Sequence, residues 1–304
     1  MKNNITVLGV PLNSGQPKPG THLGPKELRQ ARLIERLQEL NYKVTDLGDL
    51  NLGEYVMETD THHLKNLNHV VESCSKLAKA IAEIDMKEEF PLILGGDHSM
   101  AIGTLAGIAK NYSDLGVIWF DAHGDLNTAK TSPSGNIHGM SLAVSLGIGD
   151  ESLKMIGGYS PKVRKENVVL IGARDLDEGE VALIKDIGMK VYTMEDIENI
   201  GMNQVMSETI SYLSHCDGIH LSLDVDAFCP TLTPGTGTVV EGGISYNDAL
   251  IFLSNMHQSN MMTSLEIVEV NPLLEDVRSL TALTTVDLVT ILFGDTALLA
   301  ESKF

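Results

Sequence analysis

Eight short apolar runs alternate with longer stretches of helical spacing along the chain, and this alternation constrains its fold more than any other feature. Most of the runs are continuously apolar, as in parallel strands that are buried on both faces. The alternation predicts a single-domain α/β fold over residues 1–304, a three-layer αβα arrangement around a mostly parallel central sheet of about eight strands. The predicted strands are residues 5–10, 42–47, 92–94, 117–120, 168–171, 190–193, 219–223 and 264–270.

The segments between these runs carry helical patterns. In residues 69–84, apolar side chains recur at helical intervals, and Cys74 is among the residues that we expect in the core. Two loops rich in Gly, Pro, Ser and Thr, at 124–136 and 228–243, have the same alternation on both sides, so neither is predicted to be a domain boundary. Further helices are predicted over residues 100–109, 207–213, 246–256 and 285–299.

The net charge of the chain disfavours some classes of binding partner. The chain carries 41 acidic and 22 basic side chains, a formal net charge of −19. We therefore expect no nucleic-acid partner, because phosphate contacts need clustered Lys and Arg. The same charge disfavours an anionic membrane surface and is compatible with metal ions or a cationic small molecule, although its main effect is on solubility.

Cysteine usage and the lack of a leader pattern bear on location. The three cysteines form no CxxC pair, which is typical of a reducing compartment. No signal-peptide pattern is visible, and no run reaches the ~18 apolar residues that a membrane helix needs. We therefore expect a cytoplasmic protein with no membrane partner.

Ligand-type side chains directly follow three of the predicted strands. Because ligands bind beyond the carboxyl ends of strands in an open parallel sheet, these side chains are expected to share one space. Alternate residues of an extended chain point the same way, so Asp121, His123 and Asp125 should converge if the strand conformation persists beyond residue 120. The complete set is His98, Asp121, His123, Asp125, Asp224 and Asp226.

Four carboxylates in one space would repel each other and raise each other's pKa values unless cations lie between them. A mixed set of imidazole and carboxylate ligands without thiolate suits manganese or a similar ion. Simpler interpretations hold for some neighbours. Asp97 is expected to cap a helix, and His220 is expected to be a hydrogen-bonded histidine of the core. Taken alone, Asp224 and Asp226 are as consistent with a purely structural role as with a role as metal ligands.

Five motifs, in this order, resemble the ureohydrolase family over nearly the whole chain. Each motif alone is moderately specific, and the ordered set is very specific. Within that family, the sequence is most similar to bacterial-type arginases, because of the loop 127–138 and the stretch ARDLDEGE at 173–180. The motifs are GGDHS at 95–99, DAHGD at 121–125, SGNIHG at 134–139, SLDVDAFCP at 222–230 and EVNP at 269–272.

The resemblance implies a hydrolase that cleaves the guanidino group of L-arginine to give L-ornithine and urea with the help of two Mn²⁺ ions. One ion would be held by His98, Asp121, Asp125 and Asp224. The other would be held by His123, Asp121, Asp224 and Asp226, so that Asp121 and Asp224 bridge the ions. Family members often assemble into trimers or hexamers, and the resemblance therefore also implies a homo-oligomer.

The resemblance assigns the remaining site residues as well. His138 matches the family's proton-shuttling histidine, Glu269 the glutamate that receives the guanidinium, and Thr238 a nearby threonine. The amino-acid end of the substrate would be held by Asn127, Ser132, Ser134, Asn136, Asp177 and Glu180. For Asp177 and Glu180 the simpler alternative is that they cap the helical segment 179–187.

Two residues depart from the family pattern. Cys229 stands where the family usually has a carboxylate that is near the site without being a ligand, and Lys18 stands where arginine is common. Three other functions remain open: an agmatinase, a formiminoglutamate hydrolase, and a catalytically dead member of the fold that acts as a binding module. The third would be expected to lack His138, Glu269 or a metal carboxylate, and all of these are present.

Overall fold

A computed structural model describes residues 2–54, 63–275 and 279–297. In these ranges the chain forms one eight-stranded sheet in the order β2-β1-β3-β8-β7-β4-β5-β6, and every pairing is parallel. The predicted α/β class with its parallel sheet is confirmed. The strands are β1 (Asn4–Gly9), β2 (Lys43–Asp49), β3 (Glu89–Leu94), β4 (Leu115–Phe120), β5 (Val168–Ala173), β6 (Lys190–Thr193), β7 (Gly218–Asp224) and β8 (Met262–Val268).

Helices cover both faces of the sheet and enclose two separate apolar cores. Alternate side chains of β4 show the division, since Ile118 and Phe120 enter one core and Val117 and Trp119 enter the other. The first core is covered by α1, α2 and α8 to α11, and the second by α3 to α7. The helices are α1 (Gly24–Gln30), α2 (Leu33–Glu39), α3 (Leu67–Ala82), α4 (Ala101–Ile108), α5 (Ser141–Ser145), α6 (Glu151–Lys154), α7 (Glu178–Ile187), α8 (Met194–Ile200), α9 (Met202–Tyr212), α10 (Tyr246–Ser259) and α11 (Leu280–Leu292).

Helix boundaries follow local capping signals. The hydroxyl of Ser245 accepts a hydrogen bond from the backbone N–H of Asp248, which fixes the start of α10. The C-terminal end of α7 is set by Gly188, whose φ of 66° suits glycine. Among the helices in the described ranges, none is both long and apolar enough to cross a membrane.

Three predicted elements differ from the observed ones. The helix expected over 285–299 begins earlier, at Leu280, and ends at Leu292 before Gly294, which has a φ of 95°; residues 298–299 of that prediction lie outside the described ranges. Helix α9 begins at Met202 rather than at residue 207. Strand β2 is an edge strand with mostly exposed side chains, so burial on both faces does not hold there.

The sheet order determines where the functional residues lie. Strands β3, β8, β7, β4 and β5 are neighbours at the centre of the sheet, and all point the same way. The segments that follow these five strands therefore emerge side by side at one edge of the sheet. All the strand-end motifs identified in the sequence lie in these segments.

Candidate metal centre and substrate cavity

His98 follows the end of β3 after two glycines. The chain passes so close to Leu12 here that a Cβ on Gly96 would lie 1.9 Å from the Leu12 carbonyl oxygen, so only glycine fits. His98 then opens a 3-10 turn that Asp97 caps by accepting a hydrogen bond from the Ser99 backbone N–H at 3.0 Å. The expected capping role of Asp97 is confirmed.

The His98 ring is fixed from two sides. It stacks on the indole of Trp119, with ring centroids 4.3 Å apart and planes 8° apart. The Ser222 hydroxyl donates to Glu266 Oε1 at 2.7 Å, so its oxygen is left to accept a hydrogen bond from His98 Nε2 at 2.8 Å. This chain of hydrogen bonds places the proton of a neutral ring on Nε2 and turns the lone pair of Nδ1 toward the acidic cluster.

The DAHGD segment converges on the same space, but not for the reason predicted from the sequence. Strand β4 ends at Phe120, and residues 121–123 form a bend instead of continuing the extended chain. Asp125 has a φ of 50°, in the left-handed region that side chains other than glycine rarely adopt. The condition set for strand alternation is therefore not met, and the predicted convergence of Asp121, His123 and Asp125 results instead from the bend and from the left-handed Asp125.

Asp224 and Asp226 are placed by the end of β7. Asp224 is the last residue of the strand, and its Oδ1 accepts a hydrogen bond from the Asp226 backbone N–H at 2.8 Å. Asp226 lies in the 3-10 turn Val225–Ala227 and accepts a hydrogen bond from the Ala122 backbone N–H at 3.3 Å. The two acidic segments that follow neighbouring strands are thus joined directly.

Three carboxylates surround Nδ1 of His98. Its distances to Oδ2 of Asp121, Asp125 and Asp224 are 3.0, 3.1 and 3.1 Å. At most one N–H could point at these three oxygens, and the neutral ring offers a lone pair instead. Such an arrangement of lone pairs is stable only with a cation between them, so the donors fit a metal ion.

A second group of donors lies beside the first. His123 Nδ1 is 3.4 Å from Asp121 Oδ1 and 3.1 Å from Asp226 Oδ2. The donor atoms of His98, Asp121 and Asp125 form one candidate metal group, and those of Asp121, His123 and Asp226 form another. Asp121 belongs to both groups.

The pKa values of the cluster reflect its concentration of buried carboxylates. Burial and the charges of Asp226 and Asp121 raise the pKa of Asp224 well above its usual range. Burial lowers the pKa of His98, but the neighbouring carboxylates, Asp125 first among them, outweigh it and hold that pKa well above its ordinary value. Both shifts are expected where several buried carboxylates compete for too few cations.

A cavity opens above these donors, and Glu269 and His138 lie at its wall. Glu269 has a φ of 64°, and its Oε1 accepts a hydrogen bond from the His98 backbone N–H at 2.8 Å. Its other oxygen, Oε2, is buried and makes no hydrogen bond within the described chain. His138 Nδ1 lies 3.5 Å from Glu269 Oε1. An acceptor and a proton-carrying ring therefore face the same space.

The loop 127–138 closes the far side of the cavity. The Ser132 hydroxyl oxygen accepts a hydrogen bond from the Gly135 backbone N–H, and the Ser134 oxygen accepts one from the Asn136 backbone N–H. The two hydroxyl oxygens are 3.4 Å apart. Because only one of the two hydroxyl protons can lie between these oxygens, the other is left to donate to a ligand in the cavity.

Asp177 and Glu180 both cap a helix and line the cavity. Glu180 accepts hydrogen bonds from the backbone N–H groups of Asp177 and Leu126, each at 2.9 Å, and so closes a capping box at the start of α7. Asp177 accepts a hydrogen bond from the side-chain amide of Asn127 at 2.7 Å. The capping alternative is correct for these two residues, and it does not exclude contact with a ligand.

The cavity collects nearly all of the residues that the sequence singled out. Of the predicted site residues, all but Asp121 and Asn136 line it; Asp121 lies beneath the surface, and Asn136 is buried in the loop. Asp175 was missed, although it lines the cavity and lies 3.9 Å from Nε2 of His123. It lies two residues after Ala173, the last residue of β5, so the strand-end criterion applied to the other motifs could have found it.

The two departures from the family pattern have local partners. The Lys18 ammonium donates to the Gly237 carbonyl oxygen at 2.5 Å and so ties the early loop to the loop that carries Thr238. The Cys229 thiol lies 3.1 Å from the Thr231 hydroxyl and does not line the cavity. The other two expectations for single residues are confirmed: Cys74 is fully buried, and His220 is a buried histidine that bonds Ser264 at 3.0 Å.

Comparison with known proteins covers almost the whole chain. The Arginase family model matches residues 3–294. The arginase of Bacillus subtilis (strain 168) is 54% identical over 97% of this chain and 99% of its own length.

Solved structures agree. The native structure of arginase from Bacillus caldovelox superimposes with a TM-score of 0.93 at 50% identity, covering 98% of this chain and all of that one. The arginase of Entamoeba histolytica, solved in complex with L-ornithine, gives a TM-score of 0.89 at 34% identity, covering 96% of this chain and 99% of that one. Match length, identity and fold lead to one conclusion: this chain belongs to the arginase family.

Proposed function

We propose that this protein is an arginase that hydrolyses the guanidino group of L-arginine to give L-ornithine and urea. The observation that carries the proposal is the convergence of four carboxylates and two imidazoles beneath a cavity that Glu269 and His138 line. The identity to relatives named arginase supports the choice of substrate. The geometry alone would suit other guanidino compounds as well.

The ligand sets proposed for two Mn²⁺ ions follow the two donor groups. His98, Asp121 and Asp125 would hold one ion, together with Asp224, whose Oδ2 is 3.1 Å from His98 Nδ1. The other ion would be held by His123, Asp226 and Asp121, together with Asp224, which the resemblance to the family assigns as a bridge. When bound, a pair of divalent cations supplies a water molecule with a lowered pKa, which provides the nucleophile that the unreactive guanidinium carbon requires.

Glu269 is proposed to bind the guanidinium. One of its oxygens is occupied by the His98 backbone N–H, and the buried Oε2 is available to accept charge-assisted hydrogen bonds from the substrate. Thr238 lines the same cavity and is proposed to offer its hydroxyl to the guanidinium. This arrangement would hold the substrate carbon close to the metal donors.

His138 is proposed to deliver the proton that the departing amine needs. Burial lowers the pKa of His138, but the hydrogen bond to Glu269 and the charge of that residue outweigh it and raise the pKa above its ordinary value. An imidazole that is protonated near neutral pH is suited to act as a general acid. Its position on the cavity wall gives it access to the leaving group.

The amino-acid end of the substrate would be held by the loop and by the start of α7. Hydroxyl protons of Ser132 and Ser134 suit the α-carboxylate, with Asn127 and Asn136 in the same loop. The carboxylates of Asp177 and Glu180 suit the α-ammonium. Agmatine lacks the α-carboxylate, which argues against it as the preferred substrate.

Urea release from L-arginine tests the proposal most simply. The purified protein is stripped of metal with a chelator, reloaded with Mn²⁺, and assayed alongside a sample that received no metal. We expect urea and L-ornithine in equal amounts from the reloaded protein and almost none from the stripped one. Turnover that is absent in both samples, in a protein shown to bind Mn²⁺, would contradict the proposal.

The cellular setting and assembly remain part of the proposal. The three cysteines are all free in the structure, which supports a reducing compartment such as the cytoplasm. We propose a homo-oligomer, a trimer or a hexamer, on the resemblance to the family. Light scattering coupled to size-exclusion chromatography would distinguish these from a monomer of 32.9 kDa.

A further inference from the structure

Arg174 is the first residue after β5, and its guanidinium makes an unusual set of contacts. Its five N–H groups face six backbone carbonyl oxygens and no carboxylate oxygen at hydrogen-bond distance. The shortest of these hydrogen bonds, from Nη2 to the Asp226 carbonyl oxygen, is 2.7 Å long. A half-buried cation whose hydrogen bonds all go to carbonyl oxygens can organise the backbone rather than neutralise one acid.

Five of the six carbonyls belong to two segments that form the site, and the sixth, that of Gly172, lies in β5. Nη1 donates to Ala227 at 3.1 Å, and Nη2 reaches Asp226 and Phe228 in the turn after β7. Nη2 and Nε also donate, at 3.2 Å each, to Val240 and Glu241 in the loop that follows Thr238. Within the described chain, these last two carbonyls accept hydrogen bonds from Arg174 alone.

The backbone of the same residue holds a third segment. The N–H of Arg174 donates to the Ala122 carbonyl oxygen at 2.9 Å, and the N–H of Asp175 donates to the same oxygen at 3.1 Å. Ala122 lies between Asp121 and His123. One residue therefore connects the turn with Asp226, the segment with Asp121 and His123, and the loop that follows Thr238.

We infer that Arg174 is a positioning residue that fixes the Asp226 turn and the Thr238 loop relative to each other, so that metal affinity and substrate affinity both depend on it. Its planar guanidinium spreads five donors over three nitrogen atoms and so reaches both segments, whereas the ammonium of a lysine has three donors on a single nitrogen. The guanidinium also lies close enough to Asp226, Asp121 and Asp224 for their charges to act on it. The inference rests on the proposed function only where substrate binding is concerned.

The test compares Arg174→Lys with the parent, and Arg29→Lys serves as the matched control. Arg29 also makes several hydrogen bonds, to Asp46, Asp49 and the Pro25 carbonyl, but it does not line the cavity. The Mn²⁺ dissociation constant is measured by calorimetry on stripped protein, and amide hydrogen exchange is measured on the same protein. Neither readout requires turnover, so both remain informative even if L-arginine is not the substrate.

We expect Arg174→Lys to weaken Mn²⁺ binding about 10- to 100-fold, as the loss of an outer-shell partner commonly does. Amide exchange should become faster in peptides covering 225–229 and 238–243. In Arg29→Lys, the Mn²⁺ dissociation constant and the amide exchange rates should both stay at the parental level. With excess Mn²⁺, kcat should recover while KM for L-arginine stays raised by a factor of about three or more, because the Thr238 loop remains loose. General destabilisation would instead lower the active fraction and leave KM unchanged.

Parental Mn²⁺ affinity together with parental exchange in both peptides would overturn the inference. If Arg174→Lys does not fold, Arg174→Gln is measured in its place, since its amide retains two N–H donors without the charge. If both variants are unfolded, the inference is also overturned, because the residue would then serve the fold as a whole rather than the site. If the parent protein does not turn over L-arginine but the amide exchange of Arg174→Lys changes as expected, the result would count against the proposed function alone.

Discussion

Nδ1 of His138 lies 3.5 Å from Oε1 of Glu269, the same carboxylate oxygen that accepts a hydrogen bond from the His98 backbone N–H. The proposed proton donor and the proposed guanidinium acceptor are therefore coupled through one oxygen atom. Substrate bound to Glu269 would arrive beside the ring that must protonate its leaving group. This relationship makes His138 the first residue to test.

His138→Asn is expected to lower kcat by a factor of roughly 10²–10⁴, since it removes the general acid and keeps a side chain of similar polarity. The Mn²⁺ content should stay at the parental value, because His138 is not among the donor groups. Steady-state urea release and metal analysis of the same preparation provide the check. Unchanged kcat between pH 6 and 9 would return His138 to the role of a loop histidine.

Asp121→Ala is expected to be the most damaging of the ligand substitutions, because Asp121 belongs to both donor groups. Asp224→Ala should behave similarly, because Asp224 is also proposed to bridge the two ions. Each variant should lose metal-dependent urea release and bind fewer than two Mn²⁺ per chain by elemental analysis. Asp186→Ala, on the exposed face of α7, is the control and should keep both properties. Near-parental activity and metal content in either ligand variant would refute the bridging assignment.

The fold was largely predictable because the strands are nearly continuous apolar runs. Strand β4 is buried at all six of its positions, and the sequence shows an apolar run for most of its length. Boundaries were less accurate, because capping and turn residues decide them. Helix α11 stops at Leu292 because Gly294 adopts a left-handed conformation, and composition does not reveal that geometry.

The convergence of the predicted residues on one cavity could be foreseen from the sequence, but the local geometry that brings them together could not. The strand-end position of Asp121 and Asp224 gave the location, but the bend after Phe120 and the left-handed Asp125 have no clear sequence signal. The carbonyl contacts of Arg174 could not be predicted from the sequence, for a different reason. A side chain that binds backbone atoms of distant segments leaves no residue pattern, since any residue type supplies a carbonyl.

Cys229→Asp is expected to tighten the retention of Mn²⁺. The Cys229 thiol bonds only weakly to the Thr231 hydroxyl, and a carboxylate there could support the outer shell of the ligands. Its charge would also lie within electrostatic range of Arg174. Loss of activity during dialysis against a chelator should be slower in Cys229→Asp than in the parent, whereas Cys229→Ser, which lacks the charge, should match the parent. Equal rates in all three proteins would show that this departure from the family pattern is neutral.

The raised pKa of Glu180 leads us to predict that ligand binding depends on pH. Burial raises its pKa to about 7, and hydrogen bonds from the backbone N–H groups of Leu126 and Asp177 limit the rise. The carboxyl is neutral below that pH and charged above it, and only the charged form attracts an α-ammonium. The affinity of the Mn²⁺-loaded protein for L-ornithine should therefore increase as the pH rises through about 7.

Calorimetric titration with L-ornithine at several pH values checks this, because the product binds without reacting. Glu180→Gln should flatten the pH dependence, and its one amide oxygen can still accept one of the two backbone hydrogen bonds that Glu180 receives. The thermal midpoint of the variant measures how far the change destabilises the fold. A parental pH dependence in a stable Glu180→Gln variant would assign Glu180 to helix capping alone.

The comparison of L-arginine with agmatine tests the central claim most directly. A site built to hydrogen-bond the α-carboxylate and α-ammonium can reject an analogue lacking a group by up to about 10⁴–10⁵ in kcat/KM, because its own polar groups are left unpaired. We predict a strong preference of the Mn²⁺-loaded protein for L-arginine, and we predict that Asp177→Ala erodes it mainly by impairing turnover of L-arginine. Equal kcat/KM for the two substrates in the parent protein would contradict the assignment as an arginase and leave the metal centre intact.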